Sequence, residues 1–233
     1  MAQETPLIAK PVWLGRQINR GHPLSRGLIC AYASHGHEAA RNQMFLRASG
    51  TYAGSSGLGW ATHPSDAAPQ TPSYDKTLDD ALVAGEISIV TSLYLPGPSG
   101  PSGAVPQVRV GYFTGASDAE QYGFVYVGTD NDLVFFAARN SPTTNWHVLD
   151  ANVQFPHASV LGATWKSTTS ATVYKNGISL GDYASTAPVA DTRVRVTVAP
   201  STANGQFQFV YIWNRRLTDS EHAWLAREPY ALW

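Results

Sequence analysis

The chain has few of the residues that would cross-link it covalently or draw it to a charged partner. Its 233 residues include one cysteine, Cys30, which excludes an intrachain disulfide framework. Charged residues make up 14% of the chain, against roughly 25% in typical soluble domains. The formal net charge is −1, so no long-range attraction draws the chain to nucleic acid or to anionic lipid.

Signals for export and for membrane insertion are lacking as well. The first residues, MAQETPLIAK, do not place a basic segment before an apolar one, as a secretory signal does. No apolar run reaches the roughly 20 residues that span a bilayer. We therefore expect a protein made and folded in the cytoplasm, with neither nucleic acid nor a membrane as a partner.

Short β-strand patterns, in contrast, recur along most of the chain. Residues 87–95 alternate between two faces, and similar segments follow at regular spacing with turn residues between them. These segments are 108–113, 122–127, 133–138, 159–165, 171–175 and 193–198. Asn176-Gly177 is the strongest hairpin signal, because both residues tolerate the positive φ of a type I′ turn. The pattern indicates a two-sheet antiparallel sandwich.

The C-terminal segment, QFQFVYIWNRRLTDSEHAWLAREPYALW, combines a strand with one short helix. The strand carries four aromatic residues on one face: Phe207, Phe209, Tyr211 and Trp213. Thr218 is placed to cap the helix, and Glu221, three residues later, completes a capping box. Pro229 ends the helix, since proline cannot continue it.

This segment, together with ATVYKNGISLG at the hairpin and PLSRGLICAY near the start, resembles laminin-G-like domains of bacteriophage structural proteins. The resemblance implies an all-β fold, namely a two-sheet antiparallel β-sandwich (concanavalin A-like jelly roll). An extended N-terminal arm and a short C-terminal helix would complete it. We divide the chain into the arm, residues 1–26, and a laminin-G-like β-sandwich domain, residues 27–233. The likeness is vague over residues 34–85, where no strand is assigned.

The predicted arm is interrupted by prolines, yet it carries apolar residues that a solvated tail would lack. They are Leu7, Ile8, Val12, Trp13, Leu14 and Ile18. Two alternatives stay open. The arm lies over its own sandwich, or it inserts into a neighbouring subunit as a partner-binding arm.

Relatives of this fold include glycosidases, which need two carboxylates facing each other across the sugar bond. No predicted strand carries two acids on one face, so we expect no enzymatic activity and no catalytic residue. The segment His35-Gly36-His37-Glu38 has metal-binding residue types. On a strand, however, the Glu38 side chain would point away from both histidines, which favours a polar loop. We expect no metal at this segment and no cofactor.

Calcium is the ion that the resemblance implies, because many laminin-G and lectin domains hold it with loop carboxylates. The candidate ligands are Asp130 and Asp132. A tight hairpin turn selects the same residue types. Both interpretations of this segment stay open.

Exposed aromatic rings are the usual platform for a sugar, because the apolar face of a pyranose stacks on them. The candidate glycan-binding residues, which fall in or near predicted loops, are Trp60, Trp146 and Tyr183. Three other aromatic residues are assigned to the core: Trp165, Phe209 and Trp213.

The resemblance and the apolar arm together predict a structural, non-enzymatic bacteriophage virion protein, such as a capsid decoration, cement or fibre-associated subunit. Its partners would be other virion proteins such as the major capsid protein, further copies in a homo-oligomer, and host surface glycan. Its location would be the virion, assembled in the host cytoplasm. The alternative function is a carbohydrate-binding, lectin-like module for host surface glycans.

Overall fold

Two antiparallel sheets, two short helices and a 3-10 turn make up the computed structural model. It describes residues 18–33, 37–38, 43–44, 52–54, 60–62, 76–95, 97, 107–112, 121–127, 131–140, 143–167, 169–185, 194–199 and 206–232. The strands are β1 (Leu28–Ala33), β2 (His37–Glu38), β3 (Gln43–Met44), β4 (Tyr52–Gly54), β5 (Trp60–Thr62), β6 (Ser88–Leu95), β7 (Gln107–Tyr112), β8 (Gln121–Val127), β9 (Asp132–Asn140), β10 (Thr143–Asp150), β11 (His157–Ser167), β12 (Ser170–Lys175), β13 (Ile178–Ala184), β14 (Val194–Ala199) and β15 (Gln206–Trp213). The helices are α1 (Lys76–Ala84) and α2 (Asp219–Arg227), and the 3-10 turn covers Pro23–Ser25.

The strands pair into two sheets that stack face to face. Within the described residues the larger sheet has ten strands, ordered β13-β12-β11-β6-β15-β1-β2-β3, with β5 beside β15 and β4 beside β5. The smaller sheet has five, ordered β10-β9-β8-β7-β14. The pairing is antiparallel throughout this part of the chain. The prediction of an all-β, two-sheet antiparallel sandwich with a short C-terminal helix is confirmed.

Apolar residues of both sheets meet in the space between them. Leu161 and Trp165 on β11 point into this space, at the even spacing that a strand requires. Tyr122 and Phe135 of the smaller sheet face them, and the rings of Tyr122 and Trp165 meet edge to face at 5.4 Å. The assignment of Trp165 to the core is therefore confirmed.

A second apolar cluster covers the outer face of the larger sheet. Its centre is the aromatic stripe of β15, in which Phe209, Tyr211 and Trp213 are fully buried. Leu24 of the 3-10 turn and Leu225 of α2 pack in the same cluster. The indole Nε1 of Trp213 donates a hydrogen bond of 2.6 Å to the carbonyl oxygen of Leu24. The larger sheet therefore has an apolar core on both faces, as the core assignment of Phe209 and Trp213 required.

Residues 18–26 of the predicted arm belong to this outer layer. Ile18 is 6% exposed and packs in the second cluster, and the Asn19 N–H donates to the carbonyl of Leu232 over 2.8 Å. Ile18 therefore packs against its own sandwich. The other apolar arm residues, Leu7, Ile8, Val12, Trp13 and Leu14, lie outside the described residues.

The hairpin predicted at Asn176-Gly177 is confirmed. The two residues adopt φ values of 52° and 77° between β12 and β13. A side chain at Gly177 would also meet α2, because a Cβ there would lie 2.7 Å from the Cα of Ala223. Glycine is required at this turn for both reasons.

Several elements were absent from the sequence prediction. The helix α1 lies inside the stretch 34–85 where nothing was assigned, although Leu78, Ala81 and Leu82 have helical spacing and pack in the inner core. The strand β10, TTNWHVLD, has too little apolar alternation to be predicted. The strands β2 to β5 have two or three residues each, which is shorter than any periodic signal.

The helix α2 begins as the sequence predicts. The Thr218 hydroxyl accepts a hydrogen bond from the Glu221 N–H over 3.3 Å, and the Glu221 carboxylate accepts from the Thr218 N–H over 2.8 Å. The predicted capping box is therefore confirmed. Both described helices have nine residues, and neither is long and apolar enough to cross a membrane.

A buried chain of hydrogen bonds attaches α2 to the larger sheet. Ser88 donates its hydroxyl proton to the Arg215 carbonyl over 2.8 Å. The Ser88 oxygen therefore accepts a hydrogen bond from the Thr164 hydroxyl, whose oxygen lies 2.8 Å away. Thr164 in turn accepts from Nε2 of His222 over 2.8 Å, because each hydroxyl has only one proton to donate. His222 thus carries a proton on Nε2, and its Nδ1 lies over the backbone of Gly162.

Burial and close packing disfavour a charged imidazole at this site. A Cβ on Gly162 would come within 2.5 Å of the His222 Nδ1, and the ring is stacked on Tyr174 at 3.7 Å. Burial lowers the pKa of His222 from 6.5 to about 4, and the carboxylates of Asp219 and Glu221 only partly oppose this. The neutral histidine is therefore part of the folded structure.

We predict that acid weakens the fold through His222. The unfolded chain takes up a proton on this residue near pH 6.5, whereas the folded chain does so near pH 4. The free energy of unfolding therefore falls as the pH drops through this window, by up to about 3 kcal/mol from this residue. Chemical denaturation at a series of pH values should show that His222→Gln reduces this dependence.

A second variant separates the effect of the His222 charge on stability from the effect of its hydrogen bond. Thr164→Val removes the partner of His222 and of Ser88, so it should lower stability at every pH by about 1–3 kcal/mol. Because His222 stays buried in this variant, its free energy of unfolding should depend on pH as that of the natural protein does. An equal pH dependence in His222→Gln and in the natural protein would contradict the prediction.

Candidate functional site

The edge strands of the two sheets, β10 and β13, come together along one side of the sandwich. The Nε2 of His147 on β10 lies 3.2 Å from the carbonyl oxygen of Ala184 on β13. The ring of His147 also packs against that of Tyr183, with centroids 4.8 Å apart. Phe135 lies behind both rings, at 6.2 Å from His147 and 6.3 Å from Tyr183. We call this contact line the β10–β13 seam.

Polar groups at one end of the seam bridge the sheets. Lys175 of β12 forms a partly buried ion pair with Asp150 of β10. Nearby, the Nε2 of His157 lies 2.5 Å from the hydroxyl of Ser159. Burial lowers the pKa of His157, the charge of Lys175 lowers it further, and the charge of Asp150 opposes them. These charges act on one another, so the three residues form one electrostatic group.

A second set of polar groups lies on the exposed side of β13. The carboxylate of Asp182 accepts a hydrogen bond of 2.6 Å from the Thr172 hydroxyl and one of 2.9 Å from the Lys166 ammonium. The bonds from Thr172 and then Lys166 lower the pKa of Asp182. This carboxylate is therefore a fixed acceptor at neutral pH, in an exposed position.

Apolar side chains flank these polar groups. Ile178 at the start of β13 is 70% exposed, Leu180 of the same strand is exposed, and Val148 of β10 is 51% exposed. The two strands of the seam thus carry aromatic rings on one face and exposed apolar and hydrogen-bonding groups on the other. A sugar presents the matching chemistry, since its ring has apolar C–H faces and a rim of hydroxyls.

Two of the three predicted glycan-binding residues lie on the strands of the seam. Tyr183 is in β13 and its half-buried ring forms part of the contact, while Trp146 is in β10, beside His147. Trp60 is in β5, where it pairs with Phe207 of β15, away from the seam. The side chains of Trp60 and Trp146 lie outside the described residues. All three residues lie in strands: Trp60 begins β5, Trp146 is within β10, and Tyr183 is one residue before the end of β13.

The sequence prediction missed the polar residues of the seam. His147 and Asp150 lie in a strand that was not predicted, and Lys175 was recognised only as part of its strand. Nothing in the local sequence connects Lys175 to Asp150, because the ion pair exists only once the two sheets stack. In a strand, His147 and Leu149 share one face, but the weak alternation of this segment did not indicate a strand.

Of the two predicted calcium ligands, Asp132 lies among the described residues. The Asp132 carboxylate accepts a hydrogen bond of 3.1 Å from the backbone N–H of Asn152, so it helps to hold the segment after β10. Asp130 lies outside the described residues. Across the residues that the structure describes, no three histidine, cysteine or carboxylate side chains group as a metal site would require. Calcium binding stays a prediction.

With this geometry in hand, comparison with known proteins defines the class of fold. The chain has a jelly-roll-like β-sandwich that is shared with domains of carbohydrate-active enzymes and toxins. No protein-family model and no curated protein sequence matches it. The likeness therefore rests on structure, and at these low identities it shows the fold alone.

Three solved structures illustrate the similarity. Domain 4 of an extracellular GH43 arabinanase from Geobacillus stearothermophilus, solved with arabinotriose, is 15% identical with a TM-score of 0.60, over 85% of this chain and 98% of that domain. Trypanosoma rangeli sialidase, solved with sialic acid, is 14% identical with a TM-score of 0.65, over 89% of this chain. The binding domain of botulinum neurotoxin DC, solved with rat synaptotagmin II, is 9% identical with a TM-score of 0.64, over 88% of this chain. The chain spans 34% of the sialidase and 52% of the toxin domain.

We predict that removing the charge of Lys175 and removing the charge of Asp150 shift the pKa of His157 in opposite directions. Lys175→Met removes a positive charge, so the pKa of His157 should rise toward its ordinary value. Asp150→Asn removes a negative charge, so the pKa of His157 should fall further. An NMR titration of the His157 ring in each variant measures both shifts. Shifts of the same sign would show that the two charges do not face His157 as the structure has them.

Proposed function

We propose that this protein is a carbohydrate-binding module and that the β10–β13 seam is its glycan-binding site. The observation that carries the proposal is the position of Tyr183. The sequence offers this aromatic ring as a sugar platform, and the ring lies half-buried at the seam beside His147, whose Nε2 is 3.2 Å from the carbonyl oxygen of Ala184.

The seam suits a sugar because its groups are already held in place. The rings of His147 and Tyr183 pack on Phe135, so little side-chain freedom is lost when a pyranose stacks on them. Asp182 and Lys166 offer an acceptor and a donor to hydroxyl groups on the exposed side of β13. Binding of this kind needs no covalent chemistry and no metal.

The carboxylates at the seam support binding rather than hydrolysis. Asp150 is paired with Lys175, and Asp182 with Lys166. A glycosidase needs one carboxyl group that holds its proton near neutral pH, whereas the bonds to Asp182 lower its pKa. The fold neighbours agree with a binding role, since one is an arabinanase domain with bound arabinotriose and another a toxin described as dependent on two gangliosides.

Glycan binding should depend on the ring of Tyr183. We expect the natural protein to bind on an array of neutral and acidic oligosaccharides that includes arabinotriose. Tyr183→Ala should weaken binding of the best array ligand roughly tenfold or more, because it removes a stacking face. Tyr183→Phe keeps the ring and should keep most of the affinity. Calorimetric titration of each variant measures the change.

The matched control is Tyr94→Ala, a half-buried tyrosine on β6, three strands in from the edge of the same sheet. It should leave the affinity unchanged, and thermal unfolding should show that both alanine variants fold. Equal affinities for the natural protein and for folded Tyr183→Ala, or no glycan bound at all, would refute the proposal.

The virion role is a second proposal, supported by the sequence resemblance and by the apolar arm. It would make this protein a decoration, cement or fibre-associated subunit that contacts the major capsid protein and its own copies, with the glycan site facing the host. The two proposals are compatible, because a subunit on the outside of a particle can bind host glycan.

We expect the virion role to depend on residues 1–17. Residues 18–26 must be kept in the truncated chain, because Leu24 and Arg26 bind the C-terminal segment through their carbonyl groups. The truncated chain should fold with the same thermal stability but be lost from purified particles, as measured by mass spectrometry. Absence of the full-length protein from such particles would refute the virion role and leave the glycan proposal standing.

A further inference from the structure

An open cleft of ≈ 840 Å³ lies on the outer layer, between the 3-10 turn and the beginning of α2. Its lining includes Arg20, His22, Ser25, Arg26, Arg215 and Glu221. The cleft is formed by the two ends of the described chain, and none of these residues belongs to the seam.

Among the described residues, basic side chains outnumber acidic ones in the lining of the cleft, although the whole chain is nearly neutral. Three guanidinium groups and one carboxylate line it, whereas the formal charge of the full sequence is −1. Arg215 forms two hydrogen bonds with the Glu221 carboxylate, at 3.0 and 2.6 Å, so this pair cancels its own charge. Arg26 therefore contributes a positive charge that this pair does not cancel.

Arg26 is the cation that is available for a ligand. Its side chain is exposed, and among the described residues it has no hydrogen-bonding or ion-pair partner. Its backbone is nevertheless held firmly, because its carbonyl accepts a 2.7 Å hydrogen bond from the Arg215 Nε and its N–H donates to the Pro23 carbonyl. Because the backbone of Arg26 is already held, only its side chain has to be ordered when it binds an anion.

His22 supplies an aromatic wall and a further donor. Its Nδ1 accepts a 3.2 Å hydrogen bond from the Leu24 N–H, so the proton of the neutral ring is on Nε2. The ring packs on Trp224, with centroids 4.8 Å apart, which fixes its orientation. A ring and a donor beside an arginine are the groups that hold a sugar bearing a negative charge.

We propose that this cleft binds the anionic group of an acidic saccharide, a carboxylate or a sulfate ester, and that Arg26 pairs with the charge. The choice of a saccharide rests on the proposed function, whereas the choice of an anion rests on the cleft alone. The Arg215–Glu221 pair shapes the cleft and keeps Arg26 in position. A guanidinium matches either anion, because both present two oxygens in the plane of its donors.

Two matched pairs of probes test whether the ligand must be negatively charged and whether a carboxylate or a sulfate ester carries the charge. The first is trigalacturonic acid and its fully methyl-esterified form, which differ in the carboxylate charges. The second is galactose 6-sulfate and galactose. Calorimetry on the full chain should show at least tenfold tighter binding of the charged member in one pair or both, and the responding pair identifies the anion. The preference should weaken as salt rises, since salt screens the pairing.

The variant that tests the cleft is Arg26→Gln, because its side chain supports no described part of the fold. It should weaken binding of the charged probe roughly tenfold and leave binding of the neutral probe unchanged. Arg227→Gln is the matched control, since Arg227 is an exposed arginine of α2 that does not line the cleft. It should change neither affinity.

The outcomes separate this inference from the glycan site at the seam. Loss of charged-probe binding in Arg26→Gln, with binding retained in Tyr183→Ala, supports the cleft even where no neutral glycan binds. Equal binding of charged and neutral probes to the natural protein overturns it. An unchanged affinity of Arg26→Gln for the charged probe also overturns it, whatever Tyr183→Ala does.

Discussion

The buried chain of hydrogen bonds from His222 through Thr164 and Ser88 to the Arg215 carbonyl determines where the outer layer lies. The apolar stripe of β15 requires a cover, but apolar burial has no direction and would accept a helix in many positions. Buried polar groups are directional, and each one left without a partner would cost about 1–3 kcal/mol. They therefore select one position for α2.

Both candidate sites depend on that position. On one side, Arg215 joins the beginning of α2 to the carbonyl of Arg26 and so forms the floor of the charged cleft. On the other side, the Asn176-Gly177 turn lies directly against Ala223 of α2, which fixes where β13 begins. From this point β13 runs toward Ala184, where it meets His147 of β10 at the seam. A single layer, built from both ends of the described chain, thus shapes two surfaces of different chemistry.

Local features were the ones that the sequence predicted well. The capping box at Thr218 and Glu221, the turn at Asn176-Gly177 and the alternation of β6 each involve neighbours within a few residues. The prediction failed at β10, whose polar residues are stabilised by pairing with β9, and at the short strands β2 to β5. Tyr183 was predicted in or near a loop, and the structure places it in β13, one residue before that strand ends.

The amino-acid sequence by itself determined the longer alternating strands, the tight turn, the helix cap and the aromatic stripe of β15, because period, φ preference and capping depend on nearby residues. The stacking of the sheets decided which edges meet and therefore brought His147 to Tyr183 and Asp150 to Lys175. It also decided that Arg26 faces the cleft beside a paired Arg215. Such contacts join residues 25 to 189 positions apart. Their energies depend on distances between side chains, which are set only when the layers pack.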